Sequence, residues 1–325
     1  MTNLTFILTN VAIHNFSSIK ITDNVELRKA TEKEIDIARE HLLYIDIYTH
    51  FYSEKKENQN RELIYEIEVK EEPLKNGVSY NKHKLPKEDW RYWVISYSSQ
   101  EAYNNNYEKI GYAMSLLKYN FQFGITYTFW DTVGKPDLHH PADFIDTYSK
   151  IEQKYYENML EIDFNEIKAI PKIYSSLSAN IDSYLFIKHA IKNFIELKKI
   201  NSNTDLMIVG LFSIIESLVT HPPRLNENLD SISHQITNKL NLLIKMFERS
   251  VLYNTYFEEA KHETVWKKLY SYRSDIAHGS IADFQGKYLV LKSSESIHLF
   301  LEEITKNLIL LALDKPDFLN DLKQC

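Results

Sequence analysis

The sequence predicts an α+β region followed by an all-α helical bundle, and a change of pattern along the chain predicts it. Up to about residue 130, short stretches alternating apolar and polar residues, the period of half-buried strands, are interspersed with two stretches of helical spacing. From Asp143 onward the strand-like stretches nearly vanish and long amphipathic patterns follow one another. The expected division is an α+β domain over residues 1–165 and a helical bundle over residues 166–325, with the boundary falling between Asp143 and Ser178.

Residues 4–21 alternate through Phe6, Leu8, Val11, Ile13, Ile19 and Ile21, which predicts paired strands. Thr31 to Glu34 reads as a capping box, with Glu34 reaching back over the helix start and Ile35, Ala38 and Leu42 on one face. Residues 53–62 read as a solvated connection, residues 63–69 as a strand, and residues 71–89 as a second polar stretch. An aromatic strand over residues 90–97, a helix over 101–117 and a strand over 121–130 complete the first region. Pro171 lies between an acidic, Tyr-rich segment and the helical patterns. Helices are expected at about residues 180–199, 205–220, 231–248, 258–278 and 294–313. Pro222 and Pro223 end the second of these, Gly279 ends the fourth as a left-handed cap, and residues 287–292 form a short extended piece. Five helices with short to medium connections imply a bundle.

The composition bounds the function. A chain of 325 residues with 44% hydrophobic content builds a core in each of two domains, and 7 Gly and 8 Pro leave little room for long flexible linkers. The net charge of -7 is shared between the halves: residues 1–150 carry 18 Lys and Arg against 22 Asp and Glu. This argues against non-specific coating of nucleic acid by a basic surface, without excluding an RNA substrate. The single cysteine, Cys325, allows no internal disulfide and no cysteine-based zinc site, which points to the cytoplasm. No basic segment precedes the apolar residues near Met1, so no signal peptide is expected. No uncharged apolar run is long enough to span a membrane.

The chemistry-bearing stretch is residues 269–279, where Arg273, Asp275 and His278 come together on one well-patterned helix whose Val265, Leu269, Tyr272 and Ile276 would face the core, with Trp266 at their edge. Arg273 and His278 are five positions apart, about 140° around a straight helix, so one helix does not bring them to one point. Ser274 and Asp275 lie four and three positions before His278 and can reach it. An imidazole suits proton transfer near neutral pH, and the carbonyl end of a helix favours a cation there. A guanidinium binds phosphate oxygens in two places and stabilises charge developing at phosphorus. Together they resemble the parts of a metal-independent ribonuclease, in which Arg273 would need a distorted last turn or a partner chain to act with His278.

Residues 270–279, Tyr-Ser-Tyr-Arg-Ser-Asp-Ile-Ala-His-Gly, resemble the signature of HEPN domains, in which four to six residues separate Arg from His and a polar residue follows the Arg. Residues 211–218 and 232–240 also resemble the helices preceding that motif in the ApeA-like HEPN branch, which is associated with phage defence. The resemblance covers roughly residues 180–315. It implies an all-α bundle, usually a homodimer whose motifs face each other across one cleft, and RNA cleavage without metal or other cofactor. The 2′-hydroxyl then attacks the adjacent phosphate, with His278 as general acid/base and Arg273 as phosphate clamp. The chain departs from the pattern twice: Ser274 stands where Asn or Asp is commoner, with Asp275 one place later, and Ser280 stands where adenylylated HEPN toxins carry Tyr.

Glu216, the one charge in the apolar run 206–219, needs a partner; Arg273 is a candidate, and water is the alternative. His234 reads as a surface residue near a helix start. His139 and His140 could join Asp137 or Asp143 in a metal site, although a polar loop is the simpler expectation. The aromatics Trp90, Tyr92, Trp93, Tyr97, Tyr127, Phe129 and Trp130 could stack bases, but with few interleaved basic residues they read as a sheet core. The expected function is therefore an RNA endonuclease with a defensive or toxic role. Its N-terminal domain would sense a protein or nucleic-acid trigger or restrain activity. The alternative is a catalytically silent HEPN module that binds RNA, a nucleotide or a protein partner. A metal-dependent hydrolase built on His139 and His140 ranks behind both.

Overall fold

The computed structural model describes residues 2–8, 11–13, 16–49, 62–74, 77–119, 121–129, 136–141, 144–145, 147–149, 160–162, 164–200, 204–223 and 231–325. The chain divides into two compact units, Met1–Tyr174 and Ser175–Cys325. The first holds an antiparallel sheet with helices, and the second is helical.

In the first unit, strands β1 (Thr2–Leu8), β3 (Ser18–Thr22), β4 (Val25–Lys29), β7 (Trp93–Tyr97), β8 (Gln122–Phe129) and β9 (Asp137–His139) form one sheet in the order β3-β4-β7-β1-β8-β9. Every pairing in it is antiparallel. Period-two alternation gives the sheet two different faces. Phe6, Val94, Ile125 and Tyr127 share a core with Ile35, Ala38 and Leu42 of helix α1 (Glu32–Thr49). On the opposite face Tyr97 and Phe123 meet Tyr103 and Tyr107 of helix α2 (Gln100–Ser115), with ring centroids 4.5 Å apart for Tyr107 and Phe123. The start of α1 follows its sequence: the Thr31 N–H donates to the Glu34 carboxylate at 2.7 Å, and Arg28 grips the same carboxylate with two bonds of 2.8 Å.

Three expectations need correcting here. Residues 64–66 form a 3-10 turn, and strand β5 (Ile67–Leu74) begins only at Ile67, because residues 63–67 are buried without a break and do not alternate. The polar stretch 71–89 is no simple connection: Gly77–Lys84 is strand β6, paired with β5 as an antiparallel ribbon. A ribbon whose Asn81 to Lys84 side chains all face water lacks the apolar alternation that marks a strand. Pro171 lies inside helix α3 (Phe164–Asn180), along which the division of the chain into units falls. A short parallel pair joins β2 (Val11–Ile13) to β10 (Leu160–Ile162). The connection expected at residues 53–62 lies, apart from Glu62, outside the described residues.

Among the described residues of this unit Glu66 is the most deeply buried charge. It accepts from Arg39 Nε at 2.7 Å, from the Tyr92 hydroxyl at 2.6 Å and from the Leu63 N–H at 3.3 Å. Removing the guanidinium leaves a buried carboxylate without its counter-charge. Arg39→Ala is expected to lower unfolding stability by about 3 kcal/mol. Adding Glu66→Gln should restore part of that loss in urea unfolding of the full chain, and no restoration would refute the account.

The second unit is built around helix α5 (Asp205–Val219), whose Met207, Ile208, Leu211, Phe212, Ile214, Ile215, Leu218 and Val219 are buried along one broad face, while Leu206, Ser213 and Ser217 on the opposite side are exposed. A helix with so wide an apolar face belongs against a core. It packs against α4 (Leu185–Lys198), α6 (Ile232–Leu243), α8 (His262–Ala277), α9 (Ser294–Asp314) and α10 (Pro316–Gln324). Gly210 lets α4 close in, since a Cβ there would stand 2.3 Å from the Leu197 side chain. The five expected helices are present. Helix α7 (Tyr253–Phe257) and helix α10 add to them, and residues 289–291 form a 3-10 turn where an extended piece was expected.

His262 locks α8 to α6 and α7. Its Nε2 faces the Thr237 carbonyl at 2.9 Å and must carry the proton; the Tyr253 hydroxyl stands 2.6 Å from Nδ1 and accepts in turn from Trp266 Nε1 at 2.8 Å. With Trp266 donating to Tyr253 and Tyr253 to Nδ1, every donor in the chain finds an acceptor on a neutral imidazole. Burial pushes the His262 pKa below its ordinary 6.5. A lowered histidine pKa stabilises the fold above the unfolded value, and that contribution is lost as pH falls below it. Wild-type stability should therefore drop from about pH 7 to about pH 5 more steeply than that of His262→Gln. Parallel slopes in urea titrations at the two pH values would refute this.

Candidate functional site

The Arg273 and His278 pair stands on the last turns of α8. The buried stripe of this helix, Val265, Trp266, Leu269 and Tyr272, recurs at helical spacing and fixes its rotation. Trp266 meets Phe212 of α5 edge-on at 6.3 Å and Phe300 of α9 at 5.7 Å, while the Tyr272 hydroxyl donates to Asp205 at 3.1 Å. With Tyr272 turned inward, Arg273 comes to the flank of the stripe, where Glu216 of α5 waits. Their closest approach, Arg273 Nη2 to Glu216 Oε2, is 3.5 Å, with the two side chains 30% and 21% exposed. Arg273 Nε and Glu216 Oε1 are both out of contact with water and have no hydrogen-bond partner. Burial pushes the Glu216 carboxyl pKa up, and the Arg273 charge opposes that rise.

The helix ends as the glycine requires. Gly279 has φ +76°, its N–H donates to the Ile276 carbonyl at 3.1 Å, and the Ser280 N–H donates to the Asp275 carbonyl at 2.9 Å. This pair of bonds is a Schellman motif, which satisfies the last carbonyls. His278 is the cap residue, its N–H shared between the Ser274 and Asp275 carbonyls at 3.1 Å each, and its side chain stands in solvent. Among the described residues no hydrogen bond or ion pair joins the His278 ring to Arg273, Glu216 or Asp275, in keeping with the wide angle between positions 273 and 278.

Asp275 turns elsewhere. Its Oδ2 accepts from Lys287 Nζ at 2.7 Å and from the Tyr288 hydroxyl, which also lies 3.2 Å from Ser271 Oγ. The Lys287 bond first, then that of Tyr288, holds the Asp275 carboxyl below the ordinary carboxylate range, and the nearby charge of His278 pushes the same way. Sequence spacing puts this carboxylate within reach of the imidazole; its hydrogen bonds go to the returning loop. Ser274 contributes its carbonyl to the cap. Lys287 and buried Tyr288, which packs edge-on against Tyr272 at 5.3 Å, are the two residues beside the site that sequence spacing missed. They follow Asp275 by 12 and 13 positions through a glycine-containing loop, beyond any helical period.

The other expected sites resolve simply. His139 lies on β9 opposite Thr126, and His140 places its ring 6.2 Å from that of His41. Both are exposed, Asp143 lies outside the described residues, and among those described no three His, Cys, Asp or Glu side chains gather to hold a metal. His234 follows the Ser231 cap of α6 and meets Asn238 at 2.8 Å. Tyr92, Trp93, Tyr97 and Tyr127 are core residues; Trp90 and Phe129 are half-buried, and Trp130 lies outside the described residues. Among the described residues, no helix is long and apolar enough to cross a membrane.

A Cβ added at Gly279 would meet nothing within 4 Å, so only backbone strain opposes substitution there. Gly279→Ala is expected to cost about 1 kcal/mol in urea unfolding, and Gly279→Asn less, because Asn tolerates the left-handed region. Wild-type stability in the Ala variant would refute the cap assignment.

Comparison of the chain with protein-family models, with curated proteins and with solved structures finds no match.

Proposed function

We propose that the second unit is a HEPN-type domain and that the protein is a metal-independent RNA endonuclease with a defensive or toxin-like role. The observation that carries this reading is the state of the two side chains at the end of α8. The arginine is partly exposed and only loosely held, and the histidine stands in solvent on a helix terminus fixed by a Schellman motif. In the proposed chemistry the RNA 2′-oxygen bonds to the adjacent phosphorus and the bond from phosphorus to the 5′-oxygen breaks. The proton lost by the 2′-hydroxyl is taken by a base, and one is delivered to the leaving oxygen. His278 serves this proton transfer, and Arg273 holds the phosphate oxygens as charge builds on them. The divergence of the two side chains around α8 favours a homodimer in which a second copy completes each site. The first unit senses a trigger or restrains cleavage; this role rests on the division of the chain alone.

A second reading has its own support. The contact between Arg273 and Glu216 suits a structural ion pair in a catalytically silent module that binds RNA, a nucleotide or a protein partner.

The two readings separate in one assay. Arg273→Ala and His278→Ala should each lower cleavage of a mixed-sequence RNA by at least about 100-fold in EDTA, with the far-UV spectrum unchanged. Cleavage persisting in both variants would sink the nuclease reading, as would an inactive wild-type protein whose RNA binding ignores both substitutions.

A further inference from the structure

Three arginine-carboxylate pairs in this chain can be compared directly. Arg28 meets Glu34 at 2.8 Å through two nitrogens, and Arg39 meets Glu66 at 2.7 Å. These are the separations of charge-assisted hydrogen bonds. Arg273 approaches Glu216 no closer than 3.5 Å, and each partner keeps an unpartnered buried atom, Nε on the arginine and Oε1 on the glutamate. Both side chains remain partly open to solvent, so a ligand can reach them. The pair is therefore electrostatically matched but geometrically incomplete: the guanidinium has its charge neutralised while a donor in its fork stays unused.

A phosphodiester offers such a fork what Glu216 does not, two oxygens at bidentate spacing. Once the guanidinium turns to it, Glu216 is left half-buried, without its counter-charge and near a new negative group. Each of these changes favours its protonated form.

We infer that Glu216 is an exchangeable counter-ion for Arg273: an RNA phosphate displaces it, and Glu216 takes up a proton from solvent as the phosphate binds. This deepens the nuclease reading and rests on it for the identity of the ligand. The device keeps Arg273 neutralised when no RNA is bound and ties RNA affinity to pH through a residue that does not touch the RNA. Arg273 is the charge that acts on Glu216. Of the other elements packed against α5, α10 brings Lys323 near, but its ammonium donates to the Ser217 carbonyl at 2.7 Å. Glu216 also holds the chain end of its own helix in place, since its carbonyl accepts from the Thr220 N–H and hydroxyl. Those bonds belong to the backbone and survive a side-chain change.

The test is binding of a fluorescent mixed-sequence oligoribonucleotide, made uncleavable by 2′-O-methylation, to the full chain by anisotropy from about pH 8 to about pH 5.5. Glu216→Gln should bind about tenfold tighter than wild type at the upper pH, because the competing charge is gone. Wild-type affinity should rise more steeply as pH falls than that of Glu216→Gln; His278 is present in both, so the difference belongs to Glu216. Glu216→Asp, which keeps the charge on a shorter arm, should bind tighter than wild type and retain the steep slope. Equal affinities and slopes in wild type and Glu216→Gln, with binding lost in Arg273→Ala, would overturn the exchange and leave the nuclease reading standing. Binding that Arg273→Ala does not weaken, or no binding by either wild type or Glu216→Gln, would overturn both.

Discussion

The second unit depends on one constraint, the burial of α5. A helix with so broad an apolar face is stable only when neighbours cover that face, and α4, α6, α8, α9 and α10 do so. A charge on such a helix cannot be left to itself, since desolvating a carboxylate without a counter-charge costs several kcal/mol, roughly, even after relaxation. Glu216 is that charge, and Arg273 on α8 answers it. The contact that places the arginine of the motif thus follows from the core, whatever chemistry the motif performs.

That dependence explains what was legible in the sequence and what was not. The five long helices of the second unit carry enough apolar positions for their period to show, and their bounds agree with expectation to within a few residues. The left-handed cap at Gly279 was readable because glycine, a preceding polar turn and the end of the apolar stripe coincide there. Glu216 was readable because it interrupts an apolar run. Lys287 and Tyr288 were not, because the bonds they make to Asp275 close a loop whose path no periodicity encodes. The ribbon of β5 and β6 escaped for a related reason: strand pairing there is carried by backbone bonds, while the side chains of Asn81 to Lys84 keep the composition of a loop. Pro171 misled because a proline next to an irregular segment reads as punctuation, although α3 accommodates it within its first half.

The buried polar groups of the two units contrast in a useful way. Glu66 is completed by Arg39, Tyr92 and a backbone N–H, and His262 by Tyr253 and a carbonyl. Networks satisfied to this degree hold one arrangement and resist any other. Glu216 and Arg273 leave an atom each without a partner. An ion pair left incomplete on both of its sides marks a place where a second arrangement is within reach.

The two halves of the proposed site are therefore kept ready by different means. His278 is made available by geometry: the Schellman motif stops the helix beneath it, and Asp275, the carboxylate nearest in sequence, is drawn off by Lys287 and Tyr288. On the proposed reading Arg273 is held back by charge, through a carboxylate on another helix whose burial costs less once it is protonated. A site assembled this way does not need the arginine and the histidine to meet on α8. On the proposed reading it needs a phosphate that competes for the one while lying within reach of the other, and with about 140° of helix between them, a strand of RNA between two copies of the chain would meet that need.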